Sequence, residues 1–178
     1  MDTFDRWESF YVIVGSAAGA LIGLQFVVMT LIAERPPPDA ERAGAAFSTP
    51  TIVHLCVVLG IAALLRVPWE SIVPMTTICA FVGVLGVIYC GVVARRMRVQ
   101  VAYAPDVADW LCRVLLPLIA FVALTASGYV GLSNRRVALL SVGGATLLLL
   151  FAAIRNAWDA VSYHVLHRLA REQAEKES

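Results

Sequence analysis

The sequence predicts an all-α, polytopic membrane helix bundle of five transmembrane helices, the fifth extending into the cytoplasm. Three observations carry that reading. Of 178 residues, 60% are hydrophobic and 15% charged, an apolar excess beyond what soluble domains bury. The apolar residues fall in five runs free of Asp, Glu, Lys and Arg, at positions 10–33, 50–65, 72–94, 114–132 and 137–154. Each is near the roughly 20 residues that cross a bilayer core of about 30 Å. Proline, serine and aspartate punctuate the gaps between them. The chain divides into a transmembrane bundle, residues 1–160, and a cytoplasmic amphipathic helix with a mobile tail, residues 161–178.

The first helix starts ahead of its apolar run, because Asp5 with Glu8 three residues later makes an acidic capping box, with Phe4, Trp7 and Tyr11 at the interface. It stops before Pro36, Pro37 and Pro38. Ser48 or Thr49 caps the second helix, Pro50 sits in its first turn and Pro68 ends it. This run is the shortest at 16 residues, about 24 Å, and without it the chain has four crossings and both ends on one side. Ser71 caps the third helix, with Pro74 in the first turn. Asp106 and Asp109 follow Pro105 and cap the fourth. Pro117, deep in that helix, has no N–H for the Arg113 carbonyl, which predicts a kink at that level. From Ala145 to Ser178 there is no Gly or Pro, and Trp158, Val161, Val165, Leu166 and Leu169 continue an apolar stripe past the membrane. The charged tail, 168–178, lacks apolar anchors.

Basic residues set the orientation. Five crossings place Arg6, Arg66, Arg135 and Arg136 on one side and the other ten of the 14 Lys and Arg residues on the opposite side. The richer side is cytoplasmic, so the amino terminus is outside and the carboxyl terminus inside. Asp2, Asp5 and Glu8 outweigh Arg6 at the start, which is unlike a cleaved leader. Arg95, Arg96, Arg98 and Arg113 are placed at anionic lipid headgroups, and no nucleic-acid partner is expected at a net charge of +1.

Helix packing is written most clearly into the first run. Gly15, Gly19 and Gly23 form a ladder at fourfold spacing, a pattern that lets helix backbones approach closely in lipid. At about 100° per residue Gln25 points away from the ladder, and an amide facing hydrocarbon is costly, so that face also needs protein or water. The first helix is therefore predicted to be central in the bundle or to form a subunit interface. Small strips at Ala123, Ser127 and Gly131, and at Gly86, Cys90 and Ala94, are its candidate partners.

Chemistry-bearing residues are few. The absence of intramembrane carboxylates and cations argues against a proton-coupled carrier or pump. His54 is the one ionisable exception, and Gln25, Thr30, Tyr89 and Asn156 join it as the residues of a polar vestibule or pore. Cys56, Cys90 and Cys112 approach the same cytoplasmic side as His54 but form no Cys-x-x-Cys pair, so no metal and no cofactor is expected. There is no His-Glu-x-x-His, phosphate loop or Gly-x-Ser-x-Gly elbow. The Ser127–Gly128 pair resembles the serine loop of rhomboid-type intramembrane proteases over that pair only, with no histidine in the outer half of a span to serve it. The run GSAAGALIGLQFVVMTLIA, residues 15–33, resembles the opening span of small bacterial integral membrane proteins of unassigned function. That resemblance implies a family and no activity. Thirteen arginines against one lysine fit a GC-rich bacterial source and hence the plasma (inner) membrane. The reading that results is a non-enzymatic membrane protein in the lipid bilayer. It is a homo-oligomer or accessory subunit joined through the ladder, with a cytoplasmic protein partner at the C-terminal helix. The alternative is an oligomeric channel for ions or small solutes.

Overall fold

A computed structural model describes residues 5–34, 40–99 and 107–177, with side chains over 7–30, 49–98 and 109–162. The Phe4 anchor, the Asp5 side chain of the acidic capping box, the proline stop at 36–38, the Asp106 cap and the side chains of the apolar stripe beyond 162 lie outside the described residues. The second helix starts at Ala40, so the expectation that Ser48 or Thr49 caps it is corrected: both lie inside the helix, and Pro50 stands in its interior and not in its first turn. All regular structure in the described residues is helical: α1 (Asp5–Glu34), α2 (Ala40–Leu64), α3 (Ile72–Val99), α4 (107–130) and α5 (Arg135–Glu177).

Four of these helices are long and apolar enough to cross a membrane, over Trp7–Thr30, Ile72–Arg98, Leu111–Val130 and Arg135–Ser162. The apolar part of α2, Thr49–Leu64, is shorter than a span. Over the described residues the protein is thus all-helical, with four membrane-length apolar helices. α5 runs as a single helix from Arg135 to Glu177.

Local chemistry explains the ends that are described. Ser71 Oγ accepts from the Val73 N–H at 3.3 Å, as its position predicts. Asn134, not anticipated as a cap, accepts from the Val137 N–H at 3.1 Å and satisfies an orphan donor at the start of α5. Trp69 Nε1 donates to the Leu64 carbonyl at 2.8 Å and folds the α2–α3 turn back on itself. The irregularity predicted near Arg113 takes the form of a π turn, Leu111–Leu115, in which the Leu116 N–H bonds to the Leu111 carbonyl five residues back. Pro117 follows at once. One residue is accommodated in the wider turn just where proline removes a donor from the ladder.

Packing makes α5 the central helix. It lies against α4 and α2, and touches α1 and α3 as well. Half of its apolar window is buried, against 22% for that of α1. The expectation of a central α1 is therefore corrected: α1 is peripheral, packed on α2 and along α5. The physical reason lies in its buried face, which is a single stripe through Tyr11, Val14, Ala18 and Gln25, while Val12, Ile13, Leu24, Phe26 and Val27 are exposed.

The closest pairing is α3 with α4, and glycine makes it. A Cβ on Gly83 would lie 2.5 Å from the Thr125 backbone nitrogen and 2.7 Å from the Phe121 carbonyl oxygen. On Gly86 it would fall inside the Phe121 ring. Gly128 meets Ala80, and Gly131 meets Thr76, so the two helices run antiparallel in register from 76/131 to 86/121. Gly131 of the small strip at Ala123, Ser127 and Gly131 thus serves α3, and α1 is not its partner. Ser127 is fully buried with its hydroxyl bonded to the Leu124 carbonyl at 2.6 Å.

Candidate functional site

The feature with most chemistry is a buried polar layer between α1, α2, α3 and α5. Its level follows from the helix register. A Cβ on Gly15 would lie 3.0 Å from Ala62, which aligns antiparallel α1 and α2. Gln25 stands ten residues beyond that contact on α1 and His54 eight residues before it on α2, so both lie about 12–15 Å from it in the same direction. Trp7 packs over Gly143 of α5, and this parallel pair carries Asn156 to within about 8 Å of the same level.

Burial singles out the same residues. Gln25 is 6% exposed, and His54 and Asn156 are 1% exposed. Tyr89 reaches in from α3, its ring centroid 6.4 Å from that of His54 and perpendicular to it. Phe121 of α4 covers the imidazole at 5.9 Å. Thr51, one turn from His54 on the same face, is fully buried too. It escaped the sequence reading although its spacing of three from His54 was the available signal.

Four atoms in this layer are buried without a hydrogen-bond partner among the described residues: His54 Nδ1, the Tyr89 hydroxyl, and both amide atoms of Asn156. A buried polar atom in that condition costs about 1–3 kcal/mol. An imidazole, a phenol and carboxamides present donors and acceptors without fixed charge, which suits neutral hydrogen-bonding species better than ions. Among the described residues, no three His, Cys, Asp or Glu side chains gather as a metal site.

These orphaned atoms yield a prediction. Replacing Asn156 with leucine, close in volume, is expected to stabilise the fold by about 1–3 kcal/mol because it removes polar groups left without partners. Thermal unfolding in detergent, followed by circular dichroism, measures it; a lowered midpoint would show the amide to be bonded in the folded protein.

The remaining predicted site residues separate. Thr30 is exposed and bonds the Val27 carbonyl of its own helix at 2.8 Å, so it does not share a wall with Gln25 and His54. Arg113, assigned from the sequence to lipid headgroups, is 4% exposed and stands near the start of the apolar window Leu111–Val130. The carboxylate of Asp109, one turn earlier, accepts from its Nε at 3.1 Å, and this counter-charge lets the guanidinium turn inward. Arg95, Arg96 and Arg98 are exposed, with the Arg98 guanidinium 5.8 Å from the Trp110 ring centroid. On the ladder, Gly15 is buried against Ala62, whereas at Gly19 and Gly23 an added Cβ would meet nothing within 4 Å. α1 therefore has one covered face, at Gln25, and one open face, at Gly19 and Gly23.

Comparison with known families, with curated proteins and with solved structures found no match.

Proposed function

We propose that this chain is a non-enzymatic integral membrane protein that self-associates through the open glycine face of α1. The observation that carries the reading is the contrast along one ladder: Gly15 is closed by Ala62, while Gly19 and Gly23 have open space where a second helix backbone fits. Exposed Ser16 and Ala20 extend that small-residue surface. In lipid, close backbone approach along such a surface supplies the packing that hydrophobicity cannot. The closed α2 and α5 side leaves α1 free to act as the edge between copies.

The same reading places the chain in a bacterial plasma membrane with its amino terminus outside and its carboxyl terminus in the cytoplasm. The excess of arginine on the α3–α4 side supports that orientation. So does the full length of α2, 25 residues or about 38 Å, which reaches across when its polar amino-terminal part lies in the headgroup region. The long α5 then projects its charged end inward, where a cytoplasmic partner meets it.

The test is self-association in lipid vesicles, read by energy transfer between labelled copies. Gly19→Leu and Gly23→Leu are expected to weaken association at least tenfold while leaving the protomer folded, because nothing in the protomer occupies that space. Association unchanged in both variants would refute the interface.

A further inference from the structure

We propose that the cytoplasmic-side junction of α3 and α4 is a binding site for one anionic phospholipid, with its phosphate on Arg98 and Arg95 and an acyl chain along α4. An open groove of about 320 Å³ runs down α4 between Trp110, Leu111, Val114, Leu115 and Leu118. Its lining is wholly apolar. These residues extend over nine positions, about 12 Å along the helix, from the mouth of the span at Leu111 toward the membrane interior.

Charge stands at one end of this groove and nowhere along it. Arg98 closes the span of α3, and its guanidinium lies 5.8 Å from the Trp110 ring centroid, at the groove mouth. A cation held over an aromatic face is oriented without losing its donors. Arg95 is three residues earlier on α3, on the same helix face, and both arginines are exposed. The order along the membrane normal is thus two guanidinium groups, an indole, then an aliphatic channel. That order is the polarity of a phospholipid, with the anionic phosphate meeting arginine forks and the chain lying in the groove. Arg113 does not compete for the phosphate, because it is turned inward onto Asp109.

The π turn at Leu111–Leu115 gives the groove its shape. A wider turn spreads Leu111 and Leu115 apart on the surface, and both are exposed, at 43% and 47%. A helix of regular pitch would present a narrower strip at that point. Charge complementarity at the mouth selects the occupant, since a neutral lipid or a second apolar helix leaves both arginines without an anion.

The experiment uses the full chain with Trp110 as its only tryptophan, Trp7, Trp69 and Trp158 being replaced by phenylalanine. Quenching of Trp110 is measured in vesicles of phosphatidylcholine carrying brominated chains on either phosphatidylglycerol or phosphatidylcholine. Brominated phosphatidylglycerol is expected to quench at least threefold more strongly at equal mole fraction, and Arg98→Gln to abolish the difference. Leu115→Phe, which fills the groove, is expected to reduce quenching by both lipids. Arg98 is a surface residue, and circular dichroism verifies that its variant stays folded. Equal quenching by the two lipids, or selectivity that survives Arg98→Gln, would overturn the proposal. Selectivity removed by millimolar inorganic phosphate would overturn it as well, because the site would then hold a free anion. So would energy transfer showing that a second copy covers the groove.

Discussion

Valine at Gly83 is expected to separate α3 from α4 and to cost at least about 3 kcal/mol, the upper end for overpacking a buried contact. The atoms that a side chain there would strike are the Thr125 nitrogen at 2.5 Å and the Phe121 carbonyl oxygen at 2.7 Å. Both are backbone, in the middle of a helix, so neither moves without displacing α4 as a whole. Gly86→Ala is milder, because its obstacle is the Phe121 side chain, which is able to rotate, though it is fully buried and also covers His54. The same helix supplies the control. At Gly91 an added Cβ would meet nothing within 4 Å, so Gly91→Ala is expected to be neutral or slightly stabilising, within about 1 kcal/mol. Unfolding by denaturing detergent, with helicity and tryptophan fluorescence as readouts, ranks the three variants. If Gly83→Val and Gly91→Ala unfold alike, the close α3–α4 contact does not exist in the folded protein.

That contact also shows where sequence reasoning ran out. Small residues at fourfold spacing marked Gly86, Cys90 and Ala94 on α3, whereas the real seam uses Thr76, Ala80, Gly83 and Gly86 against Gly131, Gly128, Thr125 and Phe121. Spacing alone did not find it, because the seam mixes steps of three and four and one of its members is a phenylalanine. A deeper reason applies to every helix here. In water an apolar stripe identifies the core, but in lipid both the core and the outside are apolar, so periodicity says little about which face is covered. Hence the central place of α5 was not legible, and of the two places expected for α1, central in the bundle or at a subunit interface, the first is excluded.

Polar residues were legible because hydrocarbon penalises them on any uncovered face. Gln25, placed opposite the ladder by helical angle, is buried as expected. His54, Tyr89 and Asn156, grouped from the sequence as one polar half, are brought to neighbouring levels. Ser71 and Pro117 were readable for a similar reason, since a missing or unsatisfied backbone bond has few local remedies. Arg113 was read as facing lipid headgroups because it stands at the end of an apolar run, and it is 4% exposed. The corrective signal was present in the sequence, an aspartate four residues before it on the same helix face.

Asp109 and Arg113 give the second large effect. Their side chains are 12% and 5% exposed, and the ion pair between them is 3.1 Å long. Removing one member of a buried pair typically costs about 3–5 kcal/mol, because the other charge loses its compensation while staying out of water. Asp109→Ala is therefore expected to lower stability by about that much. Arg113→Met is expected to cost less, since Asp109 is the more exposed partner and can turn toward the membrane surface. The double variant Asp109→Ala, Arg113→Met discriminates between two origins of the loss. If the cost arises from a stranded charge, the double variant regains most of what Asp109→Ala loses, because a methionine fits an apolar site without a counter-ion. If it arises from the carboxylate's contribution to starting α4, the two losses add. A coupling of at least about 1 kcal/mol in that cycle, beyond the usual error of additivity, marks the first case. It would identify Arg113 as a cation that the π turn holds inside the protein, at the same end of α4 where the exposed Arg98 faces outward.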